Sequence, residues 1–330
     1  TVSELGFAAD LPSGAWVQSA AGIQRIEPLR APLFLRLQQA GPSQVFQLYQ
    51  LLSQRSLIRP QSLPAFRLDV GCKDPATAGD LLKAIEQALA SHGILLRPEG
   101  EKFVFAGREG DFDRVTPQLR EVAATLRKTR SQANPGAENQ VLPAGMINFA
   151  GADLNQVLMI YQELVGRTLL RPPNLPATTI AFHSYTPLTF EEAIYALNAT
   201  LAMNGISILP VEEKFLFAFP TAQRQQVDSL LARSMPVHSP SGKEPLPAGS
   251  LNFSNAGLRQ VMAVYQELCG KPVEVPASLP EVPFTLKSQT LLTAQEALHA
   301  LDLLLGWNGF TVIPQDDGKG LQVVRLKPTR

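Results

Sequence analysis

The stretch INFAGADLNQVLMIYQELVG, Ile147 to Gly166, decides how this chain is read, because it returns downstream. Leu251 to Gly270 reads LNFSNAGLRQVMAVYQELCG, 104 residues later and without a gap. A fainter copy, LRLQQAGPSQVFQLYQLL at Leu35 to Leu52, lies 112 residues upstream. The same two shifts superpose Leu63-Pro64, Leu175-Pro176 and Leu279-Pro280. They also superpose His92-Gly93, Asn204-Gly205 and Asn308-Gly309, and then Pro98, Pro210 and Pro314. A period of this size signals tandem small domains.

The middle copy is the clearest to read. Met146 to Phe149 alternates as a short strand. Leu154, Val157, Leu158, Tyr161, Leu164 and Val165 then fall on one face of a helix, which Gly166 stops. Thr168 to Arg171 and Thr179 to Tyr185 read as strands around a proline turn. Thr189 with Glu192 opens a second helix as a capping box, in which hydroxyl and carboxylate satisfy orphan backbone donors. Thr293 with Glu296 and Thr77 with Asp80 repeat the device. Asn204-Gly205 ends that helix, and the strands Ile206 to Leu209 and Lys214 to Phe219 follow. The expected fold class is therefore α+β, three tandem small βαββαββ units.

The expected boundaries are an N-terminal extension at 1–30, a divergent first copy at 31–110 and a helical linker at 111–140. The second copy takes 141–220, a helical and flexible linker 221–245, and the third copy 246–330. The extension is expected to hold a hairpin that includes Trp16-Val17. Val115 to Arg130 and Arg224 to Met235 read as amphipathic helices packed on the preceding domain. Each leads into a polar tract, Ser131 to Gln140 and Pro236 to Pro245.

Composition sets broad limits. Lys+Arg 29 against Asp+Glu 29 leaves no net charge to draw the chain to nucleic acid or an anionic membrane. No apolar run approaches the roughly 18 residues that span a bilayer. The start at Thr1 suits a processed chain whose export signal has been removed. Cys72 and Cys269 sit in different columns of the repeat, which favours two buried, unpaired thiols over a disulfide framework.

The search for chemistry expects no catalytic, cofactor or metal residue. His92, His183, His238 and His299 occupy unrelated columns, and no spacing brings a base to a nucleophile or ligands to a metal. Gly107-Arg108-Glu109-Gly110 has the GxxG form of an RNA-clamping loop, but follows a strand and carries an acid. Tyr49, Tyr161 and Tyr265 share a column on the apolar stripe, as core aromatics would. Gln50, Gln162 and Gln266 lie one residue further round, where solvent is expected. They are either contact-surface residues or relics of duplication. Asn148 and Asn252 are partner-contact candidates on the first strands, each preceded by Pro-Ala-Gly. Those strands are either open edges or central strands whose Asn trims a turn.

With these elements in hand, the stretch TIAFHSYTPLTFEEAIYALNATLAMNGISILPVEEKFLFAFP (Thr179 to Pro220) and the opening at Ile147 resemble the short N-terminal periplasmic domain of secretins. The same domain serves as the signalling domain of TonB-dependent receptors. The matching features are the Asn-Phe opening, PLTFEEA at the second helix, and Asn-Gly before a strand and Pro. The third copy matches as well; the first lacks the Asn-Phe pair. The resemblance implies a non-enzymatic, periplasmic scaffold or interaction module of a secretion or pilus-type assembly. Its implied partners are other envelope proteins or copies of itself. The alternative it implies is a signalling module relaying to a membrane-bound regulator. Neighbouring genes would separate the two: assembly components for the first, an anti-sigma/sigma pair for the second.

Overall fold

The structure, a computed structural model, describes residues 36–71, 76–113, 141–233, 244–316 and 319–326, with 115, 119, 240 and the backbone of two short strands at 17–19 and 22–24. Those two strands, β1 (Val17–Ser19) and β2 (Gly22–Gln24), pair antiparallel as the hairpin expected of the extension. The rest is mixed α and β, built from helices and several small sheets, with no barrel among the described residues. The described residues fall into two compact units. The first lies within Thr1–Val115, Gly136–Ala152 and Ile180–Asn204; the second within Thr116–Pro135, Asp153–Thr179 and Gly205–Arg330.

One order of elements runs through residues 36–107 of the first unit: β3 (Arg36–Ala40), α1 (Pro42–Ser53), β4 (Ser56–Ile58), β5 (Leu68–Gly71), α2 (Ala78–Ala90), β6 (Leu95–Glu99) and β7 (Phe103–Gly107). β3 pairs antiparallel with β5. β7 is the centre of a second sheet, parallel to β4 and antiparallel to β6. The core joins Val45, Phe46 and Tyr49 of α1 to Leu81, Ile85 and Leu89 of α2 and to Val104 and Ala106 of β7. The first unit also holds β8 (Val141–Leu142), β11 (Thr179–His183, from Ile180), β12 (Leu188–Thr189) and α4 (Phe190–Met203), with β9 (Asn148–Asp153) up to Ala152. β9 pairs with β11, and β8 with β12.

The second unit contains α3 (Leu154–Val165), β10 (Thr168–Leu170), β13 (Ile206–Val211), β14 (Phe215–Pro220) and α5 (Arg224–Leu231). It continues with β15 (Asn252–Ala256), α6 (Leu258–Cys269), β16 (Val273–Glu274), β17 (Phe284–Lys287), α7 (Ala294–Trp307), β18 (Phe310–Pro314) and β19 (Leu321–Arg325). β14 is parallel to β10 and antiparallel to β13, and β19 stands in the same relation to β16 and β18. β15 pairs antiparallel with β17. α5 packs on β14 and α7 through the buried Val227 and Leu230. The helix expected over Val115 to Arg130 lies outside the described residues, except for the buried Val115 and Leu119.

Local chemistry explains the elements. In each capping box the Thr hydroxyl accepts from the backbone N–H of Asp80, Glu192 or Glu296, at 3.2 Å in all three. Each acid accepts in return from the Thr backbone N–H. Gln39 and Asn255 take positive φ near the ends of their strands, where the pairing of β3 with β5 and of β15 with β17 slips register. Gly151, in the same column, has φ 92°. A bulge bends the strand and increases its local twist.

The boundary between the two compact units runs through 141–220, the stretch the sequence reads as the second copy. Its second helix and first strand belong with 36–107, while its three-stranded sheet belongs with 252–325. The physical reason is burial on both faces of the sheets. Every residue of β7 is buried, as is every residue of β14 except Pro220. A strand that alternates inward and outward side chains is buried throughout only when something covers its second face.

Candidate functional site

The cover is built twice on one plan. In the first unit, Phe103 on the outward face of β7 lies 5.8 Å from the Tyr195 ring of α4, and Gly107 approaches the Met203 side chain. Lys102 donates to the carbonyl of Pro187 at 3.0 Å and to Glu192 at 2.6 Å. Tyr185 N–H donates to the Ser56 hydroxyl at 2.8 Å. In the second unit, Phe217 on β14 packs on Trp307 of α7 at 5.4 Å, and Phe215 and Phe219 join the same core. Lys214 donates to the carbonyl of Leu291 at 3.0 Å and to Glu296 at 2.7 Å. Gln289 N–H donates to the Thr168 hydroxyl at 3.0 Å. Lys102 and Lys214 are 112 residues apart, as are Ser56 and Thr168; Glu192 and Glu296 are 104 apart. Burial opposes the charge on Glu296, but the Lys214 ammonium and the Thr293 cap hold its carboxyl below the usual range.

Lys102, Lys214, Ser56 and Thr168 were not singled out from the sequence, and Glu192 and Glu296 were read only as helix caps. The signal was present: a lysine and a hydroxyl recurring at the shift of the copies. What hid them is that each partner sits in the following copy, so no local pattern joins the two.

The residues that were singled out divide. Asn148 and Asn252 are exposed at the starts of β9 and β15. Ser184 N–H donates to the Ile147 carbonyl and Ser288 N–H to the Leu251 carbonyl. Antiparallel alternation then turns the N–H of Asn148 and Asn252 away from β11 and β17. Among the described residues these are two-stranded sheets, and β9 and β15 carry edges with no paired strand. The register slip at Asn255 shortens the straight part of the β15 edge to its first residues, and Gly151 takes a positive φ at the matching place in β9.

The glutamine column corrects the sequence expectation. Gln162 is buried, Gln50 half-buried and only Gln266 exposed. The Gln50 side-chain oxygen accepts from Leu57 N–H at 2.9 Å, and that of Gln266 from Val273 N–H at 3.1 Å. In these two places the glutamine ties the end of the first helix to the second strand, which gives the residue a structural use. The tyrosines are core residues, with Tyr49 donating to Glu86 and Tyr265 to the buried Asp302, each at 2.8 Å. Burial pushes Asp302 up to about 7, with the Tyr265 hydroxyl acting the other way.

The remaining candidates fall in separate places. Gly107-Arg108-Glu109-Gly110 closes β7 and opens a helical turn, and does not join two helices. Cys269 is buried and free; Cys72 and His238 lie outside the described residues. His92 contacts the Ala88 carbonyl, His183 packs on Tyr185, and His299 lies 3.4 Å from Glu212. Among the described residues no group of His, Cys, Asp and Glu is placed to hold a metal ion, and no helix is long and apolar enough to cross a membrane. One groove of about 430 Å³ lies in the second unit, lined by Asp153, Asn155, Arg171, Ser254, Asn255 and Thr285 among others. Arg171 donates to Asn155 at 2.8 Å there, which leaves the groove braced by its own residues. A scan against protein-family models finds no match to this chain, and a search of curated proteins finds none either.

Proposed function

We propose that this chain is a non-enzymatic cell-envelope interaction or scaffold module, built from three tandem βαββαββ units like the periplasmic N-domains of a secretin. The observation that carries this reading is the pair of open first-strand edges on β9 and β15, with Asn148 and Asn252 exposed upon them. An unpaired edge offers a row of backbone donors and acceptors that an extended segment of another protein completes by strand addition. The recurrence of the same strand pairings in 36–107 and 252–325 supports the tandem reading. The partner is an extended segment of another envelope protein.

Hydrogen exchange with and without candidate envelope proteins tests it. Binding by strand addition slows amide exchange in Met146 to Phe149 or Ser250 to Phe253. A partner that binds while both stretches exchange as before contradicts the proposed mode.

A further inference from the structure

The recurring cover between a sheet and the helix of the following segment is a head-to-tail interface, and such an interface leaves one unused half at each end. The unused helix face is that of α2. The face of α4 that meets the preceding sheet through Glu192, Tyr195 and Met203 also carries Ala196 and Ala199, and the same columns on α7 hold Glu296, His299, Ala300, Leu303 and Trp307. On α2 the same columns hold Asp80, Lys83, Ala84, Gln87 and Ser91, all exposed. The unused sheet face is that of β16, β18 and β19. Leu169 and Val273 are 104 apart and pair with Leu216 and Leu321, so these two occupy matching places. The outward Phe215, Phe217 and Phe219 are therefore matched by Gly320, Gln322 and Val324. β19 accordingly alternates between buried and half-exposed, whereas β14 is buried throughout except at Pro220.

The charged columns survive at both ends: Lys319 matches Lys102 and Lys214, and Asp80 matches Glu192 and Glu296, whereas the hydroxyl of Ser56 and Thr168 gives way to Pro272. What is lost is the apolar area, and apolar burial is what drives association. Terminal units of repeat proteins carry polar outer faces for the same reason, since an apolar one would recruit another copy.

We infer that the chain uses one docking interface twice and seals its two remaining halves, the α2 helix face and the β16–β19–β18 sheet face, against a second copy of itself. This goes beyond the proposed function and does not depend on the strand edges binding anything. Sedimentation velocity of the full chain tests it on three proteins: wild type, Asp80→Arg, and a triple variant Gln322→Phe, Lys83→Tyr, Gln87→Ala that restores the paired columns. Wild type and Asp80→Arg should show the same mass across the micromolar range, and the triple variant should sediment as dimers or larger. The inference is overturned if wild type is larger than Asp80→Arg, or if the folded triple variant is no larger than wild type. Should the triple variant fail to fold by circular dichroism, the milder pair Gln322→Leu, Gln87→Leu takes its place under the same two criteria.

Discussion

Asp302 is where a single residue makes the clearest demand. Its carboxyl is buried against the Tyr265 hydroxyl and titrates near 7, far above an ordinary aspartate. The folded state therefore holds a proton that the unfolded chain releases above about pH 4. Stability should fall as pH rises from about 4 to about 7 and then level off. Asp302→Asn keeps the shape and removes the titration, so a pH series of thermal melts should lose that slope in the variant, with stabilisation on the order of a few kcal/mol above pH 7. Gly205 and Gly309 make a different demand. Both have φ near +77° at the end of a helix, and an added Cβ meets nothing within 4 Å. Their cost of substitution is backbone strain alone, and Ala at either position should destabilise by about 1 kcal/mol in denaturant titration. These glycines were legible from the sequence because the signal is local. Asp302 was not, because its meaning depends on a tyrosine 37 positions earlier.

At the scale of elements, the helices and their caps were readable from period and spacing, while the double burial of the sheets was not. FLFAFP at 215–220 is a continuous apolar run, the pattern of a strand covered on both faces, but a run this short has no unique reading. The covering face lies in α7, 74 or more residues away, beyond the reach of periodicity. Phe217→Ala should therefore cost about 3–5 kcal/mol, as loss of a core aromatic does, and chemical denaturation measures it. Lys214 and Glu296 are partly buried, and Glu296 is also held by its capping box with Thr293, so their coupling should exceed that of a surface pair. A double-mutant cycle of Lys214→Met and Glu296→Gln should return about 1–3 kcal/mol. Because the folded carboxyl of Glu296 lies below its usual range, this contribution is present above about pH 4.3 and fades as the pH falls through the folded value.

For the whole molecule, the columns at shifts of 104 and 112 residues made the arrangement of secondary structure legible. They did not reveal that the compact units divide within 141–220, because packing follows the apolar faces and not the columns of the sequence. The open strand edges were one of two alternatives in the sequence, which cannot say what lies beside a strand. The proposed mode of action rests on those edges, and amide hydrogen exchange of the free full chain tests them most directly. Asn148 and Asn252 amides should exchange fast, while those of β7 and β14, at the centres of their sheets, stay protected to near global unfolding. If Asn148 and Asn252 are instead as protected as Val104 and Leu216, their edges are covered and strand addition there is excluded.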